Sequence, residues 1–276
     1  MLLESGLGIG AWAWAQVQPR IASFARVCSY DRAGLGFSTY SVAPRTSDAI
    51  AGDLHLTLTA AAIRPPYLLV GWSYGGMSMR LFAEAHLHDV AGLVLVDSAT
   101  ENQRAVFGKA RIRYTNAFHL ELAKCASEAA NHRRSPANLE ADCLSALGVP
   151  SDTVSRPLNA ILVKRANSPI WFKTALSEST ALFGSSATEL VNSRRSLGEL
   201  PMVVLSAGTH YSADTPNDLK VDMKRFERRW DAAQQQLITY SRRSRREIVN
   251  GSTHDIPHEN PGAIVNAVRS LLKGSN

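Results

Sequence analysis

One serine stands in a sequence context suited to nucleophilic chemistry. The run GWSYGG at residues 71–76 matches the pattern G-x-S-x-G, in which a serine occupies a sharp turn between a strand and a helix. Glycine is needed on both sides because side chains there would collide with neighbouring backbone. The turn would expose the Ser73 hydroxyl and point the helix N-terminus, with the Tyr74 amide, at a reacting oxygen. The alternative is an ordinary glycine-rich turn, but the apolar run before it and the helical pattern after it favour the nucleophile.

A serine hydroxyl is a weak nucleophile and needs a base beside it. His254 follows the last predicted strand and precedes the final predicted helix, in a loop that could carry an imidazole over Ser73. His258 is the competing histidine, and we predict that it lies on the surface near the start of that helix.

An acid is needed to hold the imidazole tautomer and to stabilise the imidazolium. Asp97 directly follows the apolar strand predicted at residues 92–96, whereas Asp214 and Asp218 come well after the strand predicted at residues 202–205. We favour Asp97 because it stands at the strand end itself. Asp214 remains open as the alternative, since Asp97 could instead cap a helix and Asp214 could be a turn residue.

A second oxyanion donor is expected from a loop near the N-terminus. The run ESGLGIG at residues 4–10 contains three glycines, which would let its backbone approach a substrate. The Leu7 amide is the favoured donor and the Gly8 amide is next. The alternative is a plain flexible turn.

Short apolar runs alternate with longer helical patterns, which predicts an α/β fold with a mostly parallel sheet flanked by helices. Strands are predicted at residues 1–4, 25–30, 67–71, 92–96, 200–205 and 247–249. Helices are predicted at residues 11–24 with a break near Pro19, 46–62, 75–88, 217–240 and 261–272. The stretch 100–197 interrupts the alternation with helical periodicity and no convincing strand, so we predict a helical cap there, inserted into a core domain formed by residues 1–99 and 198–276.

Composition narrows the possible classes of protein. The 276 residues carry a net charge of +6, but the basic residues are dispersed apart from the arginines at 242–246, which we interpret as a solvated turn rather than a nucleic-acid site. No metal cluster or dinucleotide fingerprint appears, so neither a metal nor another cofactor is predicted.

Among three cysteines, Cys125 and Cys143 could pair, which would indicate an oxidising compartment, or could be unpaired thiols. No run is long enough for a membrane span, and the N-terminus lacks the basic residues of a signal peptide.

These motifs resemble the α/β-hydrolase superfamily, especially its serine esterase-like members, over nearly the whole chain. ESGLG at residues 4–8 is similar to the oxyanion loop of that family, YDRAGLGFS at 30–38 to the segment after the next strand, and LVLVDS at 93–98 to the strand after the serine turn. His254, Glu259 and Pro261 match the spacing around the catalytic histidine of the family. Its acid usually follows the later strand, close to a glycine, but some relatives place it where Asp97 falls.

The resemblance implies a soluble hydrolase that cleaves small carboxylic esters through Ser73, His254 and Asp97 and an acyl-enzyme. Thioesterase, amidase or haloperoxidase activity is the alternative within the fold, and a ligand-binding module with a vestigial triad is the alternative outside catalysis. The family usually has two strands before the oxyanion loop, and this chain begins at what looks like the third. An uncovered sheet edge would need protection, for which a homodimer is one prediction. The compartment is left open: cytoplasmic, or secreted if an upstream segment was lost.

Overall fold

Six parallel strands form the centre of the computed structural model, which describes residues 1–131, 143, 156–166, 168–193, 195–210 and 217–273. Their spatial order is β2-β1-β3-β4-β5-β6. The strands are β1 (Leu2–Glu4), β2 (Cys28–Ser29), β3 (Tyr67–Trp72), β4 (Val90–Val96), β5 (Met202–Ala207) and β6 (Ser244–Val249). The predicted parallel sheet is therefore confirmed. The first strand lies between β2 and β3, so β2 rather than β1 forms this edge, and the homodimer stays a prediction.

Helices cover both faces of the sheet, which explains why its central strands are apolar throughout. Leu69 and Leu93 belong to the core on one face, while their neighbours Val70 and Val94 belong to the core on the other. This alternation follows from the two-residue repeat of a strand. The helices are α1 (Gln18–Ala22), α2 (Ser47–Ala60), α3 (Tyr74–Ala85), α4 (Gln103–Ala130), α5 (Arg156–Ala166), α6 (Pro169–Leu182), α7 (Ser185–Ser193), α8 (Asn217–Leu237), α9 (Ile256–Glu259) and α10 (Pro261–Lys273). Among the described residues, no helix is both long and apolar enough to cross a bilayer.

One local prediction holds in outline and another is wrong. Residues 11–24, predicted as a helix broken near Pro19, form a 3-10 helix (Ala11–Trp14) and then α1, whose first turn holds Pro19 because its missing N–H has no intrahelical partner to lose. The arginine run is not a turn throughout, because Arg245 and Arg246 belong to β6 at the sheet edge. Their guanidinium groups pair with Glu247 and Asp231, so these cations are neutralised locally rather than presented as a phosphate-binding patch.

The stretch predicted as an insertion is mostly helical among its described residues, which form α4 to α7 joined by short turns and contain no strand. A glycine kink divides α4 at Gly108, whose φ is 66°. Trp171 and Phe172 of α6 are buried in a small core that also includes Trp12 and Leu35. Because Leu122 of α4 and Leu162 of α5 join the same core, α4 to α6 are packed on the loops that follow β1 and β2.

A disulfide joins Cys125 of α4 to Cys143, and the two Cα atoms are 6.1 Å apart. The bond closes a sequence separation of 18 residues. Restricting the unfolded chain over a loop of this length stabilises a fold by about 3 kcal/mol in the chain-entropy model. We therefore expect the Cys125→Ala/Cys143→Ala double variant to lose about 3 kcal/mol of unfolding free energy, measured by urea denaturation.

Cys28 provides the control for this prediction, since it is a free, half-buried thiol on β2. Cys28→Ala should cost clearly less than the double variant, and dithiothreitol should lower the stability of Cys28→Ala but not of the double variant. Equal stability of wild type and double variant would contradict the expectation.

Candidate functional site

The carboxyl ends of the strands bring the predicted site residues together. Ser73 follows β3, Asp97 follows β4 and His254 lies in the loop after β6. In open α/β sheets this edge is where ligands bind, because the strand-to-helix loops leave a crevice there. Residues far apart in the chain thus meet at one point.

The backbone at Ser73 is strained, with φ of 54° and ψ of −121° at the entrance to α3. Side chains are excluded around it. A Cβ atom on Gly71 would lie 2.7 Å from the Gly75 oxygen, and one on Gly75 would lie 2.5 Å from the Ser5 oxygen. The two glycines of the motif are therefore required by close backbone packing, which holds Ser73 on the tight turn.

A chain of hydrogen bonds joins the three side chains. The Ser73 hydroxyl lies 2.9 Å from His254 Nε2, and His254 Nδ1 lies 2.6 Å from Asp97 Oδ2. The imidazole is partly exposed, whereas Asp97 is completely buried. This arrangement can take a proton from the serine and stabilise the resulting imidazolium.

Four donors surround the Asp97 carboxylate. Oδ1 accepts from the Ala207 amide at 3.0 Å and from Trp230 Nε1 at 2.9 Å, while Oδ2 faces both His254 and His210. Burial alone would raise the pKa of Asp97. The hydrogen bonds and charges of the two histidines outweigh burial and hold the pKa of this carboxyl well below its usual range.

His210 is a site residue that the sequence reasoning missed. It follows β5, and its Nε2 lies 2.9 Å from Asp97 Oδ2. His210 belongs to no motif. The one feature of the sequence that could have pointed to it is its position shortly after the carboxyl end of β5. Ligand atoms of Asp97, His210 and His254 all lie within 4.8 Å of one another, a donor set that could suit a transition metal. Their mutual hydrogen bonds already use these atoms, and the absence of a metal stays a prediction.

Replacing His210 tests how much its hydrogen bond contributes to stability. Its side chain is only 10% exposed and packs against Phe226 and Trp230. His210→Phe keeps a ring but leaves the buried carboxylate one donor short, so we expect the unfolding free energy to fall by about 1.5–3 kcal/mol in urea denaturation.

The matched control is the exposed His88, for which His88→Phe should change stability by less than about 0.5 kcal/mol. If the two variants were equally stable, the hydrogen bond to Asp97 would contribute nothing measurable.

The predicted oxyanion loop passes beside the serine. A Cβ on Gly6 would lie 3.4 Å from the Ser73 Cβ, so the backbone of this loop runs close to the Ser73 side chain at Gly6. The role of the Leu7 amide as the second donor stays a prediction. The Gly8 amide donates to Glu178 Oε2 at 2.7 Å, which makes it unsuitable as the donor. Tyr74 is the first residue of α3, so its amide has no intrahelical acceptor. The Tyr74 side chain points away from this role: its hydroxyl donates to the Arg45 oxygen at 2.8 Å and the ring packs in the core.

The competing residues lie elsewhere. His258 Nδ1 is 2.6 Å from Asp255 Oδ1, and the ring packs edge-on against Trp72 rather than joining Ser73. Its side chain is only 9% exposed, so the prediction of a surface position is wrong. Asp214 lies outside the described residues, as does the side chain of Asp218.

The chain matches the model of the Alpha/beta hydrolase family over residues 1–268 and belongs to that family. Among curated proteins, it is 25% identical over 261 residues to the uncharacterized protein YqjL of Bacillus subtilis strain 168, covering 95% of this chain and 78% of that protein.

Solved structures show the same fold. A thermophilic esterase from Thermogutta terrifontis is 17% identical with a TM-score of 0.64, over 99% of this chain and 89% of that one. Epoxide hydrolase CorEH is 14% identical with a TM-score of 0.69, over 100% and 91% of the two chains. At these identities the likeness establishes the architecture and not the reaction.

Proposed function

We propose that this chain hydrolyses carboxylic esters, with Ser73 as nucleophile, His254 as general base and Asp97 as the acid. The observation that carries the proposal is the continuous chain of hydrogen bonds from the Ser73 hydroxyl through the imidazole to a buried carboxylate, 2.9 and 2.6 Å in length. This is the geometry that activates a serine, because the base lies within reach of its proton and is itself oriented.

In the first half-reaction the Ser73 oxygen attacks the ester carbonyl while His254 Nε2 takes the hydroxyl proton. The carbonyl π electrons move onto the oxygen, and the Tyr74 and Leu7 amides donate hydrogen bonds to the oxyanion. The intermediate collapses, the bond from acyl carbon to alkoxy oxygen breaks, and His254 returns its proton to the leaving alcohol. The products are the free alcohol and an acyl ester of Ser73.

Water repeats the sequence in the second half-reaction. His254 takes a proton from water as its oxygen attacks the acyl carbon, and collapse of the intermediate returns that proton to Ser73. The free carboxylic acid leaves. Throughout both steps Asp97 keeps its charge and stabilises the transient imidazolium.

The side chain at the nucleophile elbow, which is the sharp turn at residues 71–75 between β3 and α3, decides which other reactions of this fold the chain could support. Opening an epoxide or displacing a halide through a covalent ester intermediate requires a carboxylate nucleophile, and the elbow carries Ser73 instead. The fold shared with an epoxide hydrolase therefore does not extend the proposal to epoxides. A thioester or amide would use the same side chains, so leaving-group preference is part of the test.

A fluorophosphonate probe tests the proposal directly. We expect rapid stoichiometric labelling of Ser73, located by peptide mass spectrometry, together with hydrolysis of p-nitrophenyl esters across a series of acyl lengths. A ligand-binding module with an inactive triad would neither react with the probe nor turn over the esters. Parallel thioester and anilide substrates separate an esterase from a thioesterase or an amidase.

We further propose that residues 100–197 act as a cap on a core formed by residues 1–99 and 198–276. Contacts from α6 to the oxyanion loop support this division, since Trp171 Nε1 donates to the Gly8 oxygen at 2.9 Å. The Cys125–Cys143 disulfide supports function in an oxidising compartment, because such bonds are rare where thiols are kept reduced.

A further inference from the structure

A buried ion cluster lies outside the triad and beside the oxyanion loop. Arg32 sits between Glu4 and Glu178, and all three side chains are at most 1% exposed. Arg32 Nε and Nη2 donate to the two Glu178 oxygens at 2.7 and 2.8 Å, while Nη1 donates to Glu4. Burial raises the pKa of Glu4 to about 7, against the opposing charge of Arg32. A buried cluster of this kind gives little net stability, so its remaining contacts are informative about its role.

Arg32 also binds two backbone oxygens of the loop. Nη1 donates to the Ser5 oxygen at 2.8 Å and Nη2 to the Gly6 oxygen at 2.7 Å. Because a trans peptide is planar, the Gly6 C=O and the Leu7 N–H point in opposite directions. Holding the Gly6 oxygen therefore sets the direction in which the Leu7 N–H points, in a loop whose Gly6 lies beside the Ser73 side chain.

Glu178 anchors the other side of the same amide. It belongs to α6 of the insertion, and its Oε2 accepts the Gly8 N–H at 2.7 Å. Since Trp171 of the same helix donates to the Gly8 oxygen, α6 holds both polar backbone groups of Gly8. The peptide that carries the Leu7 N–H is thus held at its Gly6 oxygen by Arg32. The peptide that follows it is held at its Gly8 N–H by Glu178.

We propose that Arg32 and Glu178 are positioning residues that align the Leu7 amide for the oxyanion. The inference rests on the proposed ester hydrolysis and deepens it, because it makes the helical insertion part of the catalytic geometry. Oxyanion donors work by being in place before charge develops. A misplacement of about 1 Å can cost on the order of 100-fold in rate.

Glu178→Gln is the sharpest test. The carboxylate accepts at both oxygens, but a glutamine accepts at only one and turns its NH₂ toward a donor of Arg32 or Gly8. We expect kcat on p-nitrophenyl acetate to fall about 100-fold with little change in KM. The affinity of a reversible trifluoromethyl ketone, which forms a tetrahedral adduct, should fall by a similar factor, while the affinity of the product acid should not. A merely structural role would not produce this difference between the two ligands.

Glu101→Gln is the matched control, because Arg80 Nη1 of α3 and Glu101 Oε2 form another buried ion pair, 2.9 Å long, whose other carboxylate oxygen accepts from the Tyr240 hydroxyl and not from the oxyanion loop. It should lower stability but leave kcat unchanged. If Glu178→Gln does not fold, Arg32→Lys supplies the second variant, since lysine keeps the charge and loses the planar fork.

Wild-type kcat in a folded Glu178→Gln or Arg32→Lys variant, or a loss confined to KM, would overturn the positioning role. A wild-type protein that neither turns over esters nor reacts with the fluorophosphonate would instead overturn the proposed function itself.

Discussion

Ser73→Ala is expected to reduce p-nitrophenyl ester turnover on the order of a millionfold while leaving the protein folded. The substitution removes the only atom that can form the acyl bond in the proposed mechanism, and it removes one hydrogen bond, to His254 Nε2. Alanine keeps the Cβ, so the strained turn at φ 54° is not altered further. Steady-state rates, fluorophosphonate labelling and thermal melting measure the three parts of this expectation.

Ser78→Ala is the control, because Ser78 is a buried serine on α3, the helix that follows the elbow. It should keep both ester turnover and probe labelling. Near-wild-type turnover in purified Ser73→Ala would refute Ser73 as the nucleophile, whatever the result with Ser78→Ala.

Asp97→Asn is expected to lower turnover by about 10,000-fold. An asparagine cannot accept from the Ala207 amide and Trp230 on one side and from the histidines on the other. If its NH₂ group takes the place of Oδ1, it faces the Ala207 and Trp230 donors. If the NH₂ group takes the place of Oδ2, it donates to His254 Nδ1, so the imidazole proton moves to Nε2 and Nε2 no longer accepts the Ser73 proton. Comparing kcat and circular dichroism of the variant with wild type separates loss of the acid from loss of the fold.

Two further aspartates test the assignment. Asp255→Asn changes the carboxylate that pairs with His258, and Asp214→Asn changes the other acid that the sequence left open. Both variants should retain turnover within about tenfold, far above Asp97→Asn. A collapse of activity in Asp214→Asn with Asp97→Asn unaffected would transfer the acid role to Asp214.

The local features were the most predictable. The elbow could be recognised because its glycines stand at fixed positions around Ser73. Gly71 is required by contacts with Gly75 and Gly76 in the same turn, whereas the contact that excludes a side chain at Gly75 is with Ser5 of another segment. The apolar runs that became β3, β4 and β5 were found because strands buried on both faces leave little room for polar residues. The bounds of the two edge strands were predicted less accurately, because β2 has only two residues and β6 is rich in arginine.

Contacts between distant segments were harder to predict. Neither His210 nor Glu178 belongs to a recognisable motif. Their hydrogen bonds to Asp97 and Gly8 depend on how β5 and α6 are packed against the rest of the protein. The misassigned arginines show the same limit. Arg246 became a strand residue because β6 pairs with β5 and Asp231 of α8 neutralises its charge.

The amino-acid sequence by itself predicted the serine turn, the alternation of strands and helices, and Ser73 with His254 as the reacting pair, with Asp97 favoured over Asp214 as the acid. Those choices follow from short-range sterics and from the burial of apolar strands, which are written in neighbouring residues. Tertiary structure alone decided which second histidine shares the carboxylate and how Arg32 and Glu178 hold the oxyanion loop. The reason is that buried charges and backbone amides find partners by the packing of elements more than 100 residues apart, as with Arg32 and Glu178.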